Sequence, residues 1–385
     1  MSATTSPSGN SSGRASVPGP GRPDRDRPSY GGDGNGPGGR PPGGTGRSYG
    51  GGSRRPRPRW GRIALVAGVL IAVIALIAGI SAWGYVSGLD DNLKRTNAFT
   101  ELKERPPAAV EGAFNILLIG TDSRDPDAKQ DAANKWRADT LILMHVPADH
   151  KSAQLISIPR DLWVNIPNGN SAPCSSGSRA KINAAFAFGG IPRAVRTVEC
   201  MTDVRIDHVM AIDFGGFKEV TDALGGVDLY VEQDAKSIHK PFRQFKKGTM
   251  HMNGEEALDW IRQRYQFPRG DFARMQHQQD FLKALMDKAA SGGTLGNPAK
   301  LTSFLNSVTD ALTVDENFSL KDMAFELKGL RSENLTFLTS PNKGSETING
   351  QSVVVSDREK ALGLYKAVAA DKMSEWLTAN PQKKK

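Results

Sequence analysis

The sequence predicts one α/β domain on the outer side of a membrane, held there by a single N-terminal helix. Two observations support this fold class. From Phe114 onward, short apolar runs alternate with helical stretches, which is the pattern of a sheet covered by helices. Ahead of them lies one long uncharged run, Ile63 to Trp83. Because the chain shows no internal repeat, we expect one folded domain over residues 111–378 and a loose polar end over 379–385.

Residues 1–59 form a low-complexity tail with 16 Gly and 10 Pro. Such a composition buries too little apolar surface to offset the entropy of ordering, so we predict that the tail is disordered. The tail also carries most of the excess charge. Residues 1–62 contain 11 Arg and 3 Asp in a chain of net charge +9. The folded part is therefore close to neutral, which argues against a DNA-binding regulator.

The apolar run from residue 63 predicts a transmembrane helix over residues 63–85. Its 21 residues from Ile63 to Trp83 would span about 30 Å, the thickness of a bilayer core. Five arginines crowd its N-terminal flank, so the tail is predicted to be cytoplasmic and the rest of the chain extracytoplasmic. A cleaved signal peptide is the alternative, although such a peptide is shorter and begins nearer the N-terminus.

Residues 86–110 are predicted to form a stalk between the membrane and the domain. Leu89, Leu93 and Leu102 alternate with charged residues, which favours a weakly amphipathic helix, and Pro106-Pro107 would stop it.

The chain has only two cysteines, Cys174 and Cys200, and both lie in the extracytoplasmic part. Because such a compartment is oxidising, we predict a disulfide between them. Two separate buried thiols are the alternative.

Three apolar runs predict the first strands of the sheet, at Phe114–Ile119, Thr140–Val146 and Ala153–Ile158. Charged residues border each strand at one terminus, so these charges should gather at one sheet edge, where open α/β sheets bind ligands. The other predicted elements are helices at 181–188, 192–201, 217–224, 298–312, 320–330 and from 357, with strands at 208–212, 227–231, 335–338 and 353–355.

Residues 257–278 predict two helices separated by a turn. Pro268 and Gly270 mark the turn, and Asp271 is a good N-cap for the second helix. Arg262 and Arg264 can reach one ligand only if the first helix ends near them, and the turn indicates that it does.

The same stretch predicts a site for a multiply charged oxyanion. On the second helix Asp271, Arg274 and Gln278 share one face. With Arg262 and Arg264 nearby, several guanidinium groups would converge near a helix N-terminus, and guanidinium groups bind phosphate bidentately. A solvated basic face paired with nearby acids is the alternative.

Two carboxylates, Asp122 and Asp139, stand beside strand ends. A bound diphosphate is usually accompanied by Mg²⁺, which takes one or two carboxylates together with phosphate oxygens. Either aspartate could equally be a helix cap or a turn residue.

Six ordered motifs between residues 115 and 279 resemble the LytR-CpsA-Psr family. They read N-I-L-L-I-G-T-D-S-R, R-A-D-T-L-I-L, L-I-S-I-P-R-D, K-I-N-A-A-F-A-F-G-G, D-A-L-G-G-V-D, and G-E-E-A-L-D-W-I-R-Q-R-Y followed by G-D-F-A-R-M-Q-H-Q-Q. The resemblance implies a three-layer α/β/α fold with a central mixed sheet and a deep apolar groove for a polyprenyl chain. It also implies a cell-wall phosphotransferase, which moves an anionic glycopolymer from a polyprenyl-diphosphate carrier to peptidoglycan with the help of Mg²⁺, or of Mn²⁺ in its place.

The resemblance also implies roles for individual residues. It makes Asp122 and Asp139 metal ligands. The acceptor hydroxyl also needs a base, and an aspartate near the metal, Asp122 first, is the candidate. The implied diphosphate-binding residues are Arg137, Arg160, Lys181, Arg262, Arg264, Arg274 and Gln278. The implied catalytic set is Asp122, Arg160, Arg262, Arg264 and Arg274, and the orienting residues are Asp161, Asn183 and Asp271.

The sequence departs from the family pattern at Ala180, Met275 and His277, which puts the outer contacts of the site in question. Phe186, Phe188, Phe214 and Phe281 are expected in the core. Three other functions stay open from the sequence: a lipid-phosphate binding or scaffold protein without turnover, a polyprenyl-diphosphate hydrolase, and a membrane-bound transcriptional attenuator.

Overall fold

The computed structural model describes residues 88–121 and 137–381. The predicted tail, the predicted transmembrane helix over 63–85 and the predicted site residue Asp122 lie outside the described residues. Within the two described ranges, none of the helices combines the length and the apolarity that crossing a bilayer requires.

A seven-stranded mixed sheet forms the centre of the fold. In spatial order its strands are β1 (Lys94–Thr96), β12 (Leu312–Asp315), β7 (His208–Ile212), β2 (Phe114–Thr121), β3 (Ala138–Val146), β4 (Ala153–Ser157) and β13 (Leu335–Thr339). The pairs β1–β12, β7–β2 and β4–β13 are parallel, and the other three pairs are antiparallel. The predicted central mixed sheet is therefore confirmed.

Helices cover both faces of this sheet, because its inner strands are apolar on both sides. Along β2, Leu117 and Ile119 face one layer and Ile116 faces the other, following the two-residue period of a strand. The first layer contains α1 (Ala184–Thr202), α8 (Arg358–Ala369) and α9 (Met373–Ala379). The second contains α4 (Asp271–Ala289), α6 (Pro298–Ala311) and α7 (Leu320–Glu326).

Smaller elements extend this frame. Two further helices, α2 (Phe214–Ala223) and α3 (Gly254–Ile261), pack with α4, and a short α5 spans Gly292–Leu295. The hairpins are β5 (Trp163–Ile166) with β6 (Ser178–Lys181), β8 (Val227–Val231) with β11 (Gly248–Met252), β9 (Ala235–Lys236) with β10 (Gln244–Phe245), and β14 (Asn342–Ile348) with β15 (Gln351–Ser356). A 3₁₀ turn covers Ser332–Asn334. Of these strands, sequence analysis predicted only β8 and part of β15.

The predicted disulfide is confirmed. Cys174 lies between β5 and β6, Cys200 lies on α1, and their Cα atoms are 5.4 Å apart. The bond therefore ties this hairpin to the first helical layer.

The helix predicted over the stalk is wrong at residues 94–96. These residues form β1, which pairs in parallel with β12 at the edge of the sheet. Leu89 and Leu93 are buried, so their apolar side chains pack on the domain. Burial and strand pairing outweigh the weak helical pattern, and this segment belongs to the folded domain.

The two helices predicted over 181–188 and 192–201 are one element, α1, with a break in its middle. Gly189 and Gly190 have non-helical backbone angles there. Lys181 does not open a helix as predicted, because it ends β6 and the helix begins at Ala184.

The two arginine-bearing helices end and begin at the predicted turn. Helix α3 ends at Ile261 with Arg262 as its C-cap, as predicted. Gly270, at φ +52°, occupies the N-cap of α4, so the prediction of Asp271 as the N-cap is wrong. Asp271 is instead the first helical residue, which turns its carboxylate toward three arginines.

Candidate functional site

A cavity of about 480 Å³ lies between the sheet and the second helical layer. Most of its wall is apolar, because it is lined by apolar side chains of the sheet and of the helices that cover it. The sheet contributes Ile116, Ile142, Met144 and Met210, while α4 and α6 contribute Phe281, Leu282, Leu285, Met286, Phe304 and Val308. The cavity has the apolar character of the groove that the family resemblance implies.

The wall changes from apolar to charged at one end of the cavity. The polar residues there are Thr121, Asp139, Thr140, Arg160, Asp213, His239, Arg262, Arg264, Arg274 and Gln278. They converge because β2 and β4 run in one direction and β3 runs in the other, so that two strand ends and one strand start meet at one edge. The turn between α3 and α4 supplies the remaining residues. The predicted convergence of strand-end charges and arginines is therefore found.

The carboxylate of Asp271 connects three of the arginines. Its Oδ2 accepts a hydrogen bond of 3.0 Å from Arg274 Nη2. Its Oδ1 lies 3.6 Å from Arg264 Nη1 and 3.8 Å from Arg160 Nε. One acidic group thus holds together guanidinium groups from helix α4, from the turn between α3 and α4 and from the segment after β4, which is a suitable arrangement for an orienting residue.

Arg160 is the most extensively contacted of the four arginines. Its Nη1 donates to Asp139 Oδ1 at 2.5 Å, and its Nε lies 3.8 Å from Asp161 Oδ2. Burial works to lower the pKa of Arg160, but the nearby carboxylates of Asp139, Asp271 and Asp161 outweigh it and raise that pKa. The group is therefore held firmly in its charged form.

Arg274 is less well compensated. Burial lowers its pKa first, and the charges of Arg160 and Arg264 lower it further, against the opposing effect of Asp271. The buried Nε atoms of Arg160 and Arg274 have no hydrogen-bond partner in the described part of the chain. Buried donors of this kind normally meet an acceptor, so both atoms indicate an anionic ligand.

The charges at this end of the cavity do not cancel. Four arginines face three carboxylates there, Asp139, Asp213 and Asp271, so among the described residues one positive charge remains. This charge would attract an anionic ligand such as a diphosphate esterified at both ends.

Three residues with predicted supporting roles lie outside the cavity wall. Lys181 Nζ contacts Asp161 Oδ1 at 3.2 Å, so this lysine holds the carboxylate beside Arg160. Asn183 is buried, and its backbone N–H donates to the carbonyl of Arg160 at 3.1 Å. Arg137 is exposed at the start of β3. Of the predicted diphosphate-binding set, Arg137 and Lys181 therefore do not line the cavity.

The described part of the predicted metal site offers two oxygen donors. Asp139 lines the cavity, and strand register places Thr121 opposite Ala138, next to that aspartate. The buried hydroxyl of Thr121 has no hydrogen-bond partner among the described residues. No group of three or more metal-binding side chains occurs in residues 88–121 and 137–381. The donors fit Mg²⁺, which takes few protein carboxylates and completes its shell with phosphate oxygens and water.

Sequence analysis missed several residues at the mouth of the cavity. The guanidinium of Arg262 stacks on Phe214 at 4.6 Å, and that of Arg264 stacks on Tyr265 at 4.4 Å. His239 also lines the cavity, and its pKa is lowered by burial and then by Arg262. His239 lies in a loop outside every recognisable motif, so the sequence carried no signal for it.

The four phenylalanines expected in the core have different environments. Phe186 and Phe281 are buried, but Phe281 also lines the cavity, as does Phe214. Phe188 is 55% exposed, so that expectation is wrong for it. It lies in the first turns of α1, just before the glycine break.

The departures from the family pattern on α4 do not alter the cavity. Met275 and His277 are buried on a face of the helix that does not line it. His277 stacks on Trp260 at 4.5 Å and hydrogen-bonds to Glu232 at 2.9 Å. Both residues are part of the packing between α3, α4 and β8.

Comparison with known proteins gives one family. Residues 85–369 match the LytR_cpsA_psr family. The chain is 30% identical over 284 residues to the cell wall biosynthesis protein LcpA of Corynebacterium glutamicum, covering 65% of this chain and 54% of LcpA. The chain thus spans about half the length of that relative.

Two further proteins are similar to this chain, one in sequence and the other in fold. The chain is 34% identical over 237 residues to the polyisoprenyl-teichoic acid–peptidoglycan teichoic acid transferase TagU of Bacillus cereus, covering 61% of this chain and 71% of TagU. The crystal structure of B. subtilis TagV superposes with a TM-score of 0.57 and 29% identity, covering 69% of this chain and 98% of TagV.

Proposed function

This chain belongs to the LytR_cpsA_psr family, and on that premise we propose that it transfers an anionic glycopolymer from a polyprenyl-diphosphate carrier to peptidoglycan. Relatives named as teichoic acid transferases support this assignment. The observation that carries it is the apolar cavity with four arginines and an excess of positive charge at one end. Such a cavity suits a ligand with an apolar tail and a doubly charged head.

The apolar part of the cavity would bind the polyprenyl chain. Each methylene group that leaves water contributes about 0.8 kcal/mol, so several buried isoprene units outweigh the cost of immobilising the chain. The tail would thereby fix the diphosphate at the arginines and leave the glycan outside the cavity.

The arginines would position the diphosphate and stabilise charge during transfer. The acceptor hydroxyl of peptidoglycan forms a bond to the phosphorus on the glycan side, and the bond to the bridging oxygen breaks. Polyprenyl phosphate leaves with the electron pair of that bond. Because charge accumulates on the departing phosphate, Arg160 and Arg274, whose buried Nε atoms make no hydrogen bond with the described residues, are well placed to bind it.

The acceptor hydroxyl must also lose a proton. We assign this step to Asp122, which follows Thr121 directly in the chain and lies outside the described residues. Asp271 would keep Arg160, Arg264 and Arg274 in position without contacting the reacting atoms.

Mg²⁺ would be held by Asp122, Asp139 and the hydroxyl of Thr121. When bound, it would neutralise charge on the diphosphate oxygens. We further propose that residues 63–85 anchor the protein in the cell membrane, with the N-terminus in the cytoplasm and the domain outside, since both substrates are extracytoplasmic.

Transfer in a reconstituted system tests this function. Full-length protein in detergent would be incubated with a short-chain polyprenyl-diphosphate glycan and Mg²⁺, with and without peptidoglycan oligomer. Arg160→Ala is the test variant, and Arg358→Ala, an exposed arginine at the start of α8, is the matched control.

Glycan on the oligomer with wild type and the control, and none with Arg160→Ala or after addition of EDTA, would support a transferase. Release of polyprenyl phosphate to water despite the acceptor would indicate a hydrolase. Tight binding without either product would indicate a carrier-binding protein and overturn the proposal.

A further inference from the structure

A second, smaller cavity of about 180 Å³ adjoins the charged end of the first. The two cavities share His239, Leu258 and Arg262 as a common wall. The remaining wall residues of the smaller cavity are Lys218, Lys240, Pro241, Arg243, Glu255 and Asp259. The proposed function gives none of these six residues a role in binding the polyprenyl-diphosphate substrate.

The two acidic groups of the smaller cavity are already paired within the protein. Arg243 Nη2 donates to Glu255 Oε2 at 2.9 Å, and its Nη1 lies 3.5 Å from Asp259 Oδ2. Asp259 Oδ1 also accepts hydrogen bonds from Ser237 Oγ at 2.6 Å and Gln263 Nε2 at 2.7 Å. One arginine therefore serves both carboxylates, and neither acid is available to the other cations.

Three cations of this cavity have no acidic partner. Lys218, Lys240 and Arg262 form no ion pair with any residue in the described ranges 88–121 and 137–381. With Arg243 they make four positive charges against Glu255 and Asp259, so two positive charges remain. Arg262 belongs to both cavities, so the positive charge of the smaller one lies next to that of the larger one.

The positions of the lysines are set by tight backbone contacts. A Cβ at Gly254 would lie 2.4 Å from the carbonyl oxygen of Lys218, so α2 and α3 touch at this point and only glycine fits. Around Lys240, the loop is closed by hydrogen bonds from Phe242 N to the carbonyl of His239 at 2.6 Å and from Ser237 N to that of Arg243 at 2.8 Å. The lysine backbones therefore have fixed positions at the rim.

We propose that the smaller cavity is a subsite for a second anionic group of the substrate, a phosphate or carboxylate carried on a glycan beyond the diphosphate. The proposal rests on the function proposed above. Because Arg262 borders both cavities, an anion in the smaller one lies directly beside the bound diphosphate. The repulsion between the two anions is reduced because the seven cationic side chains of the two cavities outnumber their five carboxylates.

The anion could come from either substrate. A donor glycan with phosphate in its repeating units would supply the anion from one side, and carboxylates on the stem peptides of peptidoglycan would supply it from the other. Separate donor and acceptor probes distinguish the two sources. The protein should bind the charged form more tightly than the neutral form in only one of the two pairs of probes.

Calorimetric titration of full-length protein in detergent tests the subsite. The donor probes are a geranyl-diphosphate-linked neutral disaccharide and the same molecule with glycerol phosphate on its outer sugar. The acceptor probes, added to protein saturated with the neutral donor, are a peptidoglycan oligomer with free carboxylates and its amidated form. The test variants are Lys218→Met, Lys240→Met and their combination, since methionine keeps the apolar stem of lysine. Lys366→Met, an exposed lysine on α8 in the other helical layer, is the control for charge removal.

The donor probes form one arm of the experiment and the acceptor probes form the other. In one of these arms, wild type and the control should bind the charged probe about tenfold more tightly than the neutral probe. In the double variant this preference should fall below about twofold. A preference in the donor arm assigns the anion to the polymer, and one in the acceptor arm assigns it to peptidoglycan.

Equal affinities for charged and neutral probes in both arms of the wild type would overturn the subsite while leaving the proposed function intact. An undiminished preference in the double variant would also overturn it. Failure of the wild type to bind any donor probe would instead overturn the proposed function.

Discussion

Arg160 Nη1 donates a hydrogen bond of 2.5 Å to Asp139 Oδ1. The residue predicted to bind the diphosphate and the residue predicted to bind the metal are therefore paired with each other in the free protein. The pair keeps Arg160 charged and fixed before substrate arrives. It also means that Asp139 can accept Mg²⁺ only by weakening its contact with the arginine. A diphosphate bound to Arg160 would replace that contact, so metal and substrate should bind cooperatively.

This cooperativity can be tested with Asp139→Asn. In wild type we expect Mg²⁺ to tighten binding of a geranyl-diphosphate sugar at least tenfold, since each charge-assisted contact contributes about 1.5–3 kcal/mol. Asp139→Asn should lose this Mg²⁺ effect. It should bind the metal-free ligand at least as well as wild type, because Arg160 is then released. Titration calorimetry with and without Mg²⁺ measures both values.

Asp149→Asn, an exposed aspartate between β3 and β4, is the matched control for that experiment. An unchanged Mg²⁺ effect in Asp139→Asn would contradict the metal role of Asp139.

Asp271→Asn should separate binding of the diphosphate from its alignment. The variant removes the charge that holds Arg160, Arg264 and Arg274 together, so mutual repulsion among them rises and an anionic ligand relieves it. We therefore expect affinity for inorganic diphosphate to rise a few-fold, while kcat for transfer falls about tenfold or more. Free protein should also lose about 1–3 kcal/mol of stability, because Arg274 is buried without its partner.

Thermal melts with and without diphosphate, together with kcat and KM, measure these effects. Asp287 is an exposed aspartate on the same helix, so Asp287→Asn is the control for the loss of one charge from α4. Parallel losses of affinity and rate in Asp271→Asn would show that this residue contacts the ligand itself or merely supports the fold.

His239 should make diphosphate binding depend on pH. Its pKa is lowered by burial first and then by Arg262 and Arg264, against Asp259, so at neutral pH the ring is uncharged. Acidification through that pKa adds a positive charge at the mouth of the cavity. By linkage, a bound anion raises the pKa and binding takes up a proton. We expect affinity for a diphosphate ester to increase about three- to fivefold from pH 7 to pH 5.

A ligand esterified at both phosphates should be used, because such a diphosphate does not itself titrate in this range. His239→Asn should give a flat profile, while His251→Asn, an exposed histidine paired with Asp228, should keep the wild-type slope. A wild-type slope in His239→Asn would exclude this residue as its source. Acidification has the opposite effect on the stability of the free protein. The free energy of unfolding should decrease as pH falls below the ordinary pKa of histidine, because the unfolded chain then binds more protons than the folded one.

The residue patterns located the charged end of the site, whereas the apolar cavity behind it was implied only by the family resemblance and its lining residues were not predicted. The turn at Pro268 and Gly270 was enough to predict that Arg262 and Arg264 follow a helix end, and strand ends gave Asp139 and Arg160. An apolar residue beside a cavity has the same local pattern as one in the core, because a cavity is a lack of packing between layers.

Phe186 and Phe281 illustrate this limit. Both are buried phenylalanines on helices, yet only Phe281 faces the cavity. The edge strand β1 was mispredicted for a related reason, since its partner β12 lies more than 200 residues further along the chain. Long-range pairing of this kind leaves no local pattern in the sequence.

Filling the cavity should shorten the polyprenyl chain that the protein accepts. Val308 on α6 lines the apolar part, away from the arginines, and Val308→Phe would occupy space that the tail needs. We expect affinity for a C55 diphosphate sugar to fall at least tenfold, since several methylene groups lose their buried site. Affinity for the C10 analogue should change less than about twofold, because its tail stays near the charged end.

The C10 ligand is thus the internal control, and the melting temperature shows whether the larger side chain is accommodated. A phenylalanine that fills empty space should leave stability unchanged or slightly raised, because it gains contacts without displacing the packed core. Equal loss of both ligands would mean that the cavity does not hold the far end of the tail. An unchanged affinity for C55 would mean that the tail leaves the protein by another route, since a filled cavity could not admit it.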